Sequence, residues 1–381
     1  MKKILLVAGA RPNFMKIAPI LRVIDRDYSE SLQSILVHTG QHYDENLSQA
    51  FFDSLNIKTP DYNLKVGSGT HAEQTAAIMS KFEDVCKNEN PDIVLVVGDV
   101  NSTIAAGLVA KKLCLELAHV EAGLRSRDRT MPEEINRLTT DAITDLFFTT
   151  ERGASDNLLR EGHQEESIHF VGHVMIDNLY FQLDELENKG PSNIVAELKG
   201  RLPKEYLCMT MHRPSNVDNP DVLGPLLDSL YNIAQKMPIA FPCHPRTKNK
   251  IESFGLEHLF QTPDKSENKI ESGLILLPPL NYNDFLYLWK DAFCVLTDSG
   301  GLQEETTALG IPCLTLRENT ERPITISEGT NTLIGQDPKR LQEELRVLLH
   351  GESKQGKVPE LWDGKASRRI TEILNFQNFG V

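Results

Sequence analysis

Residues 91–103 read PDIVLVVGDVNST. The run from Ile93 to Val97 is apolar without a break, so it fits a strand buried on both faces. It closes on Gly98 and Asp99, and a helix-period segment follows over 102–113. A strand, a polar turn and a helix make half of a βα unit, and the chain repeats that unit on either side. KKILLVAGA, SILVHTG, ELAHVEAG, DLFFTT and SIHFVGH read as further parallel strands. Helical segments near 14–26, 45–55, 71–88, 132–144 and 152–161 separate them. The rhythm pauses over the polar, helix-prone stretch 175–204, which carries KGPSN, and restarts with YLCMTMH, PIAFPCHP, LILLPPL, CVLTDSGG and PCLTLR. The expectation is an α/β protein of two Rossmann-like, doubly wound domains facing a central cleft.

The bulk numbers agree and narrow the function. A chain of 381 residues is too long for one compact core and comfortable for two. The formal net charge of −14 repels nucleic acid and anionic membrane, so an anionic ligand must be held by a local basic cluster. Cys86, Cys114, Cys208, Cys243, Cys294 and Cys313 are scattered, several inside apolar runs, without a CxxC pair. They read as buried thiols in a reducing compartment rather than as disulfides or a zinc site. The apolar run of MKKILLVAGA meets Arg11 at once and is too short for a signal peptide. No stretch approaches the ~20 apolar residues of a membrane helix. A cytoplasmic protein is expected.

Ligands of doubly wound sheets bind beyond the carboxyl ends of the strands. Those ends carry GAR, TGQH, GDVNST, HVEAG, MHRP, CHPR and DSGG. Asp298-Ser299-Gly300-Gly301 runs from a strand into a helix and presents free N–H groups suited to a phosphate. Arg11 and Lys16 flank the first strand–helix junction, where Pro12 suits the first helical position. Arg213 and Arg246 follow two further strands, beside His212 and His244. So many basic strand ends in an acidic protein point to a polyanion, and a diphosphate fits. There is no GxGxxG after a strand and no GxxxxGK[ST], which argues against a nicotinamide cofactor and a P-loop. Glu304 and Glu305 lie one turn past the glycines, where a carboxylate can accept ribose hydroxyls. Asp99 and Glu121 end strands and point toward the expected cleft, and Glu133 follows Pro132 in a first helical turn with Arg137 one turn on. Arg127, Asp128 and Arg129 read as solvated surface.

The motifs GARPNFMKIAP, TGQH, GDVNST, HVEAGLR, PEEINR, MHRPSN, CHP, LTDSGGLQEE, RENTERP and GKASRRI occur in order along nearly the whole chain. In that combination the sequence resembles the non-hydrolysing UDP-N-acetylglucosamine 2-epimerases. The resemblance implies two Rossmann-like domains arranged as in B-type glycosyltransferases, with the last helix crossing back to the first domain. The domains are then expected at 1–174 with 366–381 and at 205–365, joined by helical 175–204. It also implies the reaction. UDP is eliminated across C1–C2 to leave 2-acetamidoglucal, then added back after protonation on the other face, giving UDP-N-acetylmannosamine for surface polysaccharides. Carried over by position, Asp99, Glu121, Glu133 and His212 match residues assigned to the chemistry. Arg11, Lys16, His244, Ser299, Gly300 and Gly301 match residues near the UDP, with Glu305 at its ribose. Arg137, Arg213, Thr320, Glu321 and Arg322 lie in matching motifs, and of these Arg137, Arg213 and Arg322 are expected on the substrate. Neither a cofactor nor a metal is implied, and relatives are commonly homodimers.

Three departures bear on these expectations. The segment between HVEAGLR and PEEINR is two residues shorter than in the best-known bacterial members, so choosing Glu133 over Glu134 rests on alignment. Asp44 stands where those members carry a glutamine that binds a second, regulatory UDP-GlcNAc, and GSGTHAEQ lacks their arginine, which leaves activation by substrate open. The HTGQHYD form with the shorter loop also resembles relatives acting on the 2,3-diacetamido uronic acid sugar nucleotide. Hydrolysing relatives begin with a different first turn. A B-type glycosyltransferase would require an acceptor surface, and a silent nucleotide-sugar sensor would not require three carboxylates at element ends. His38, His71, His119, His163, His169 and His173 lie outside the matched catalytic turns and read as structural or exposed. Phe285, Tyr287 and Trp289 form a mostly core stripe after a turn that can line the uracil pocket.

Overall fold

The computed structural model describes residues 1–40, 49–262, 269–352 and 354–377. The chain divides into two compact units, residues 1–178 with 360–381 and residues 179–359.

In the first unit the strands are β1 (Lys2–Ala8), β2 (Leu32–His38), β3 (Tyr62–Asn63), β4 (Ile93–Val97), β5 (Glu116–Val120), β6 (Leu146–Thr149) and β7 (Ile168–Phe170). Helices α1 (Arg11–Asp27), α2 (Gln49–Leu55), α3 (His71–Glu89), α4 (Asn101–Lys112), α5 (Pro132–Asp141) and α6 (Arg152–Arg160) connect them. All pairings are parallel, and the order is β3-β2-β1-β4-β5-β6-β7. The unbroken apolar strands are explained by burial on two sides. Ile4, Leu6, Ile93 and Leu95 pack against Phe14, Ile17 and Leu21 of α1, whereas Leu5, Val7, Val94 and Val96 pack against Ile78 and Phe82 of α3 and Ala106 of α4. Each such side chain contributes about 1.5–3 kcal/mol relative to exposure.

α7 (Val174–Lys189) runs across the division between the units, and α8 (Asn193–Arg201) follows. The second sheet is built from β8 (Leu207–Thr210), β9 (Ile239–Pro242), β10 (Leu274–Leu277), β11 (Cys294–Thr297), β12 (Cys313–Thr315) and β13 (Asn331–Leu333). Its helices are α9 (Pro214–Val217), α10 (Pro220–Ala234), α11 (Pro245–Ser253), α12 (Tyr282–Trp289), α13 (Gly300–Leu309), α14 (Pro323–Ser327) and α15 (Pro338–Leu349). The order β10-β9-β8-β11-β12-β13 repeats the plan of the first sheet, again all parallel. In both sheets the order reverses beside the first strand, between β1 and β4 and between β8 and β11. A doubly wound sheet opens its ligand crevice at such a point.

The last helix, α16 (Ala366–Phe376), returns to the first unit, where Ala366, Ile370 and Leu374 join the α1 core. The return is fastened by buried Asp177, which accepts from Ala366 N at 3.0 Å and from Ser367 N and Oγ at 2.6 Å each. Gly172 must be glycine here. Its φ is +89° and an added Cβ would stand 2.1 Å from the Leu361 carbonyl oxygen. Five of the six cysteines are buried, while Cys114 is exposed, and none is in a disulfide. Among the described residues no helix is long and apolar enough to cross a membrane.

Candidate active site

The switch point of the first sheet gathers most of the expected residues of that unit. Asn13 pins the GAR turn: its Oδ1 accepts from Ala10 N at 3.0 Å and its Nδ2 donates to the Val97 carbonyl at 3.2 Å. One turn further on, Lys16 forms a close ion pair with Glu121, the two side chains 12% and 2% exposed. Glu121 ends β5 in the left-handed region, with φ +67°. That conformation costs a non-glycine residue ~1–2 kcal/mol and persists only where the surroundings impose it. Gly98 lies against the same pair. Its φ is +67°, and a Cβ there would stand 3.1 Å from Lys16 Nζ and 4.0 Å from Glu121 Oε2. Arg11 is exposed, its guanidinium 5.0 Å from the centre of the Phe51 ring.

Asp99, next to Gly98, is partly open, and Arg137 Nη2 donates to its Oδ2 at 2.6 Å. Asn136 Nδ2 holds its carbonyl at 2.9 Å. The same Arg137 reaches Glu134 at 2.7 Å, so this guanidinium, expected on the substrate, is instead buried between two carboxylates of its own unit. The neighbours Glu133 and Glu134 part company at the start of α5. Glu134 is buried and accepts from Ser126 N and Arg127 N at 2.9 Å each. Burial disfavours its charge, but those two N–H groups and Arg137 outweigh that and hold the carboxyl below the ordinary glutamate range. Glu133 stays exposed. Arg127, Asp128 and Arg129 are exposed, in keeping with a solvated stretch. Asp44 and the Gln41-His42 part of TGQH lie outside the described residues.

In the second unit the organising group is Asp298, fully buried at the end of β11. Its Oδ2 accepts from His212 N at 2.9 Å, Arg213 N at 2.8 Å and Asn216 Nδ2 at 3.1 Å. His212 Nδ1 lies 3.2 Å from Oδ1, and the His212 side chain is 45% exposed. A carboxylate at that distance fixes the proton on Nδ1 and leaves Nε2 outward as an acceptor. His244 caps α11, its Nδ1 accepting from Arg246 N at 3.2 Å, so its Nε2 carries the proton. Ser299 precedes α13, its N–H donating to Thr297 Oγ1 at 2.9 Å. Neither following glycine is required by the chain: a Cβ on Gly301 would meet nothing within 4 Å, and one on Gly300 only Glu321 Oε2 at 3.8 Å.

The RENTERP loop is tied to this turn by buried Gln303, whose Oε1 accepts from Thr320 Oγ1 at 2.7 Å and from Asn331 Nδ2 at 3.1 Å, while its Nε2 donates to the Ser299 carbonyl at 3.1 Å. Arg322 closes on Glu304, and Arg317 donates to Glu321 at 3.0 Å. Burial works against the Glu321 charge, yet Arg317, with Arg322 and Arg213 nearby, keeps its carboxyl below the ordinary range. Glu305 accepts from the Tyr282 hydroxyl at 2.6 Å. Of the expected core stripe only Trp289 is fully buried, while Phe285 and Tyr287 are half-buried. The sequence places Asp298 in an anion-binding turn, whereas its carboxylate is taken up by donors 82 to 86 positions away.

A family model described as UDP-N-acetylglucosamine 2-epimerase matches residues 25–375. The chain is 40% identical to the UDP-N-acetylglucosamine 2-epimerase of Methanocaldococcus jannaschii, over 99% of this chain and 100% of that one. It is 37% identical to the UDP-2,3-diacetamido-2,3-dideoxy-D-glucuronate 2-epimerase of Pseudomonas aeruginosa, over 98% and 99% of the two chains. The crystal structure of the M. jannaschii UDP-GlcNAc 2-epimerase in complex with UDP-GlcNAc and UDP superposes with a TM-score of 0.80 at 39% identity, covering 99% of this chain and 100% of that one.

Proposed function

Because the chain belongs to the UDP-N-acetylglucosamine 2-epimerase family, we propose that it inverts C2 of UDP-N-acetylglucosamine to give UDP-N-acetylmannosamine, in both directions. The observation that carries this reading is the pair of carboxylates at the first sheet's switch point, Asp99 gripped by Arg137 and strained Glu121 paired with Lys16. A C2 hydrogen is not acidic, so its removal must accompany departure of the diphosphate. One carboxylate takes the proton while the C1–O bond breaks, its electrons leave with UDP, and a C1=C2 double bond remains. A protonated carboxyl then delivers a proton to the opposite face of C2 as the phosphate oxygen re-forms the bond to C1. Asp99, Glu121 and Glu133 divide this work in the proposal. Glu133 is preferred to Glu134 because the latter's oxygens are already committed to Ser126, Arg127 and Arg137.

The UDP is assigned to the strand ends of the second unit, and Arg11 and Lys16 are kept as substrate-side residues of the first. Open space beside Gly300 and Gly301 leaves room for a phosphate against the start of α13. Arg213 and His244 supply donors for the developing phosphate charge, His212 joins them when its outward Nε2 takes up a proton, and Glu305 suits the ribose. Arg322 serves through Glu304, and Arg137 becomes a positioning residue for Asp99. Six free thiols suit the cytoplasm, and a homodimer completes the proposal.

The test is turnover of UDP-N-acetylglucosamine alone in D2O, followed by proton NMR. Epimerisation gives a second anomeric signal that equilibrates and carries deuterium at C2. Inverted product without label rules out the elimination route, and no change without an added acceptor favours a transferase. The Pseudomonas relative supports a second reading, in which the 2,3-diacetamido uronic acid nucleotide is the better substrate. Comparing kcat/KM for the two nucleotides decides between them.

A further inference from the structure

His119, which the sequence reads as structural or exposed, is bonded at both ring nitrogens inside the core. The ring is fully buried. Nδ1 lies 2.7 Å from Asp141 Oδ1 and Nε2 lies 2.8 Å from the Gly98 carbonyl. Asp141, the last residue of α5, is equally buried, and its second oxygen accepts from Gly123 N at 3.0 Å and from Arg125 Nη1 at 2.7 Å. Burial opposes the Asp141 charge, while His119 and Arg125 outweigh it and hold the carboxyl below its ordinary range. One carboxylate therefore grips the chain two residues before and two residues after Glu121. Through His119 it also grips the carbonyl of Gly98, whose peptide leads into Asp99.

Packing alone gives no reason for this cluster. Apolar groups of the same volume would make the core at least as stable as a buried imidazole and guanidinium bonded to one carboxylate. The surroundings do hold a strained element: Glu121 at φ +67°, and Gly123 at φ +78° with room for a Cβ only 2.3 Å from the Ala154 carbonyl oxygen. We infer that His119 and Asp141 are positioning residues that lock Glu121 and the Gly98–Asp99 peptide into one geometry without touching substrate. The two reacting carboxylates are set by a single buried hinge pin rather than independently. This inference rests on the epimerase reading.

The experiment compares H119Q, H119N and the wild type. Glutamine places an N–H where Nε2 stood and can still hold the Gly98 carbonyl. Asparagine reaches only as far as Nδ1 and keeps the Asp141 contact alone. Thermal midpoints and circular dichroism establish that each variant folds. Misplacing a reacting group by ~1 Å costs about 100-fold. The expected result is a kcat loss of about 100-fold in H119N, with KM within about 3-fold and a larger primary isotope effect for C2-deuterated substrate. H119Q should recover kcat to within about 10-fold of the wild type. Equal kcat in folded H119N and H119Q, or a loss confined to KM, overturns the inference. Should H119N not fold, H119L replaces it, because an apolar side chain of similar volume deletes the bonds to both Asp141 and the Gly98 carbonyl. Full kcat in folded H119L is likewise fatal. If the wild type places no deuterium at C2, the epimerase reading falls and takes this inference with it, whatever the variants do.

Discussion

Replacing Glu121 with glutamine keeps the shape of the side chain and its backbone strain but deletes the charge facing Lys16. The pair is almost dry, the two side chains 12% and 2% exposed, so Lys16 would be left as an uncompensated buried cation. Removing one member of such a pair costs about 3–5 kcal/mol, and the partial opening of Lys16 places this case near 3. For a unit of about 200 residues that is a fall in midpoint of roughly 6–12 °C. Lys16→Met should lose a similar amount by removing the cation beside the buried Glu121 carboxylate. The double variant K16M/E121Q replaces two charges with a neutral pair of similar volume and should sit within about 1.5 kcal/mol of the wild type. The coupling read from the cycle is then about 4.5 kcal/mol or more, against the ~0.5 kcal/mol expected of independent sites. Differential scanning calorimetry of the four proteins provides the measurement. Deuterium incorporation at C2 should fall by at least about 100-fold in every variant lacking Glu121, the double variant included. Additive stability losses, or a double variant that regains activity with its stability, would refute the reasoning.

Two further outcomes separate catalysis from folding. Glu133→Gln should lower kcat by about 100-fold with an unchanged melting temperature, whereas Glu134→Gln should cost about 2 kcal/mol of stability through weakened bonds to Ser126, Arg127 and Arg137, as thermal denaturation of each will show. Glu134 and Asp141 both have carboxyls held below their ordinary values, so the stability they contribute is complete above pH ~4–5 and is lost as pH falls through their folded values. Acid titration monitored by circular dichroism should show the gap between wild type and E134Q narrowing below about pH 4, and a gap that widens there would contradict the sign.

The architecture was legible because burial on two sides leaves an unmistakable mark: Ile93–Val97 and residues 4–8 of β1 are apolar at every alternation. The strands that escaped, Tyr62–Asn63 and Asn331–Leu333, are two and three residues long and have no apolar run to announce them. Strand-end chemistry was legible for the same reason, since Asp99, Glu121 and Asp298 each follow a recognisable strand. What those groups bond was not. Adjacent helical residues point ~100° apart, so sequence alone leaves Glu133 and Glu134 interchangeable until the 126–127 backbone is seen folding over one of them. Asp298 meets His212, and His119 meets Asp141, only after the strands have aligned. Arg137 shows the opposite hazard: a basic residue in a matching motif that the protein spends on its own carboxylates.

The return of α16 has a consequence for synthesis. The second unit is one uninterrupted stretch, whereas the first is completed only by 360–381. A ribosome that has finished β7 must therefore translate about 200 more residues before Ile370 and Leu374 can seal the groove over α1, an interval on the order of 10–40 s. The nascent amino-terminal half spends that time with an open apolar seam, while the later half can finish folding first. Chaperone engagement should concentrate on that seam, and premature termination past residue 359 should yield a sound second unit attached to an aggregating first one.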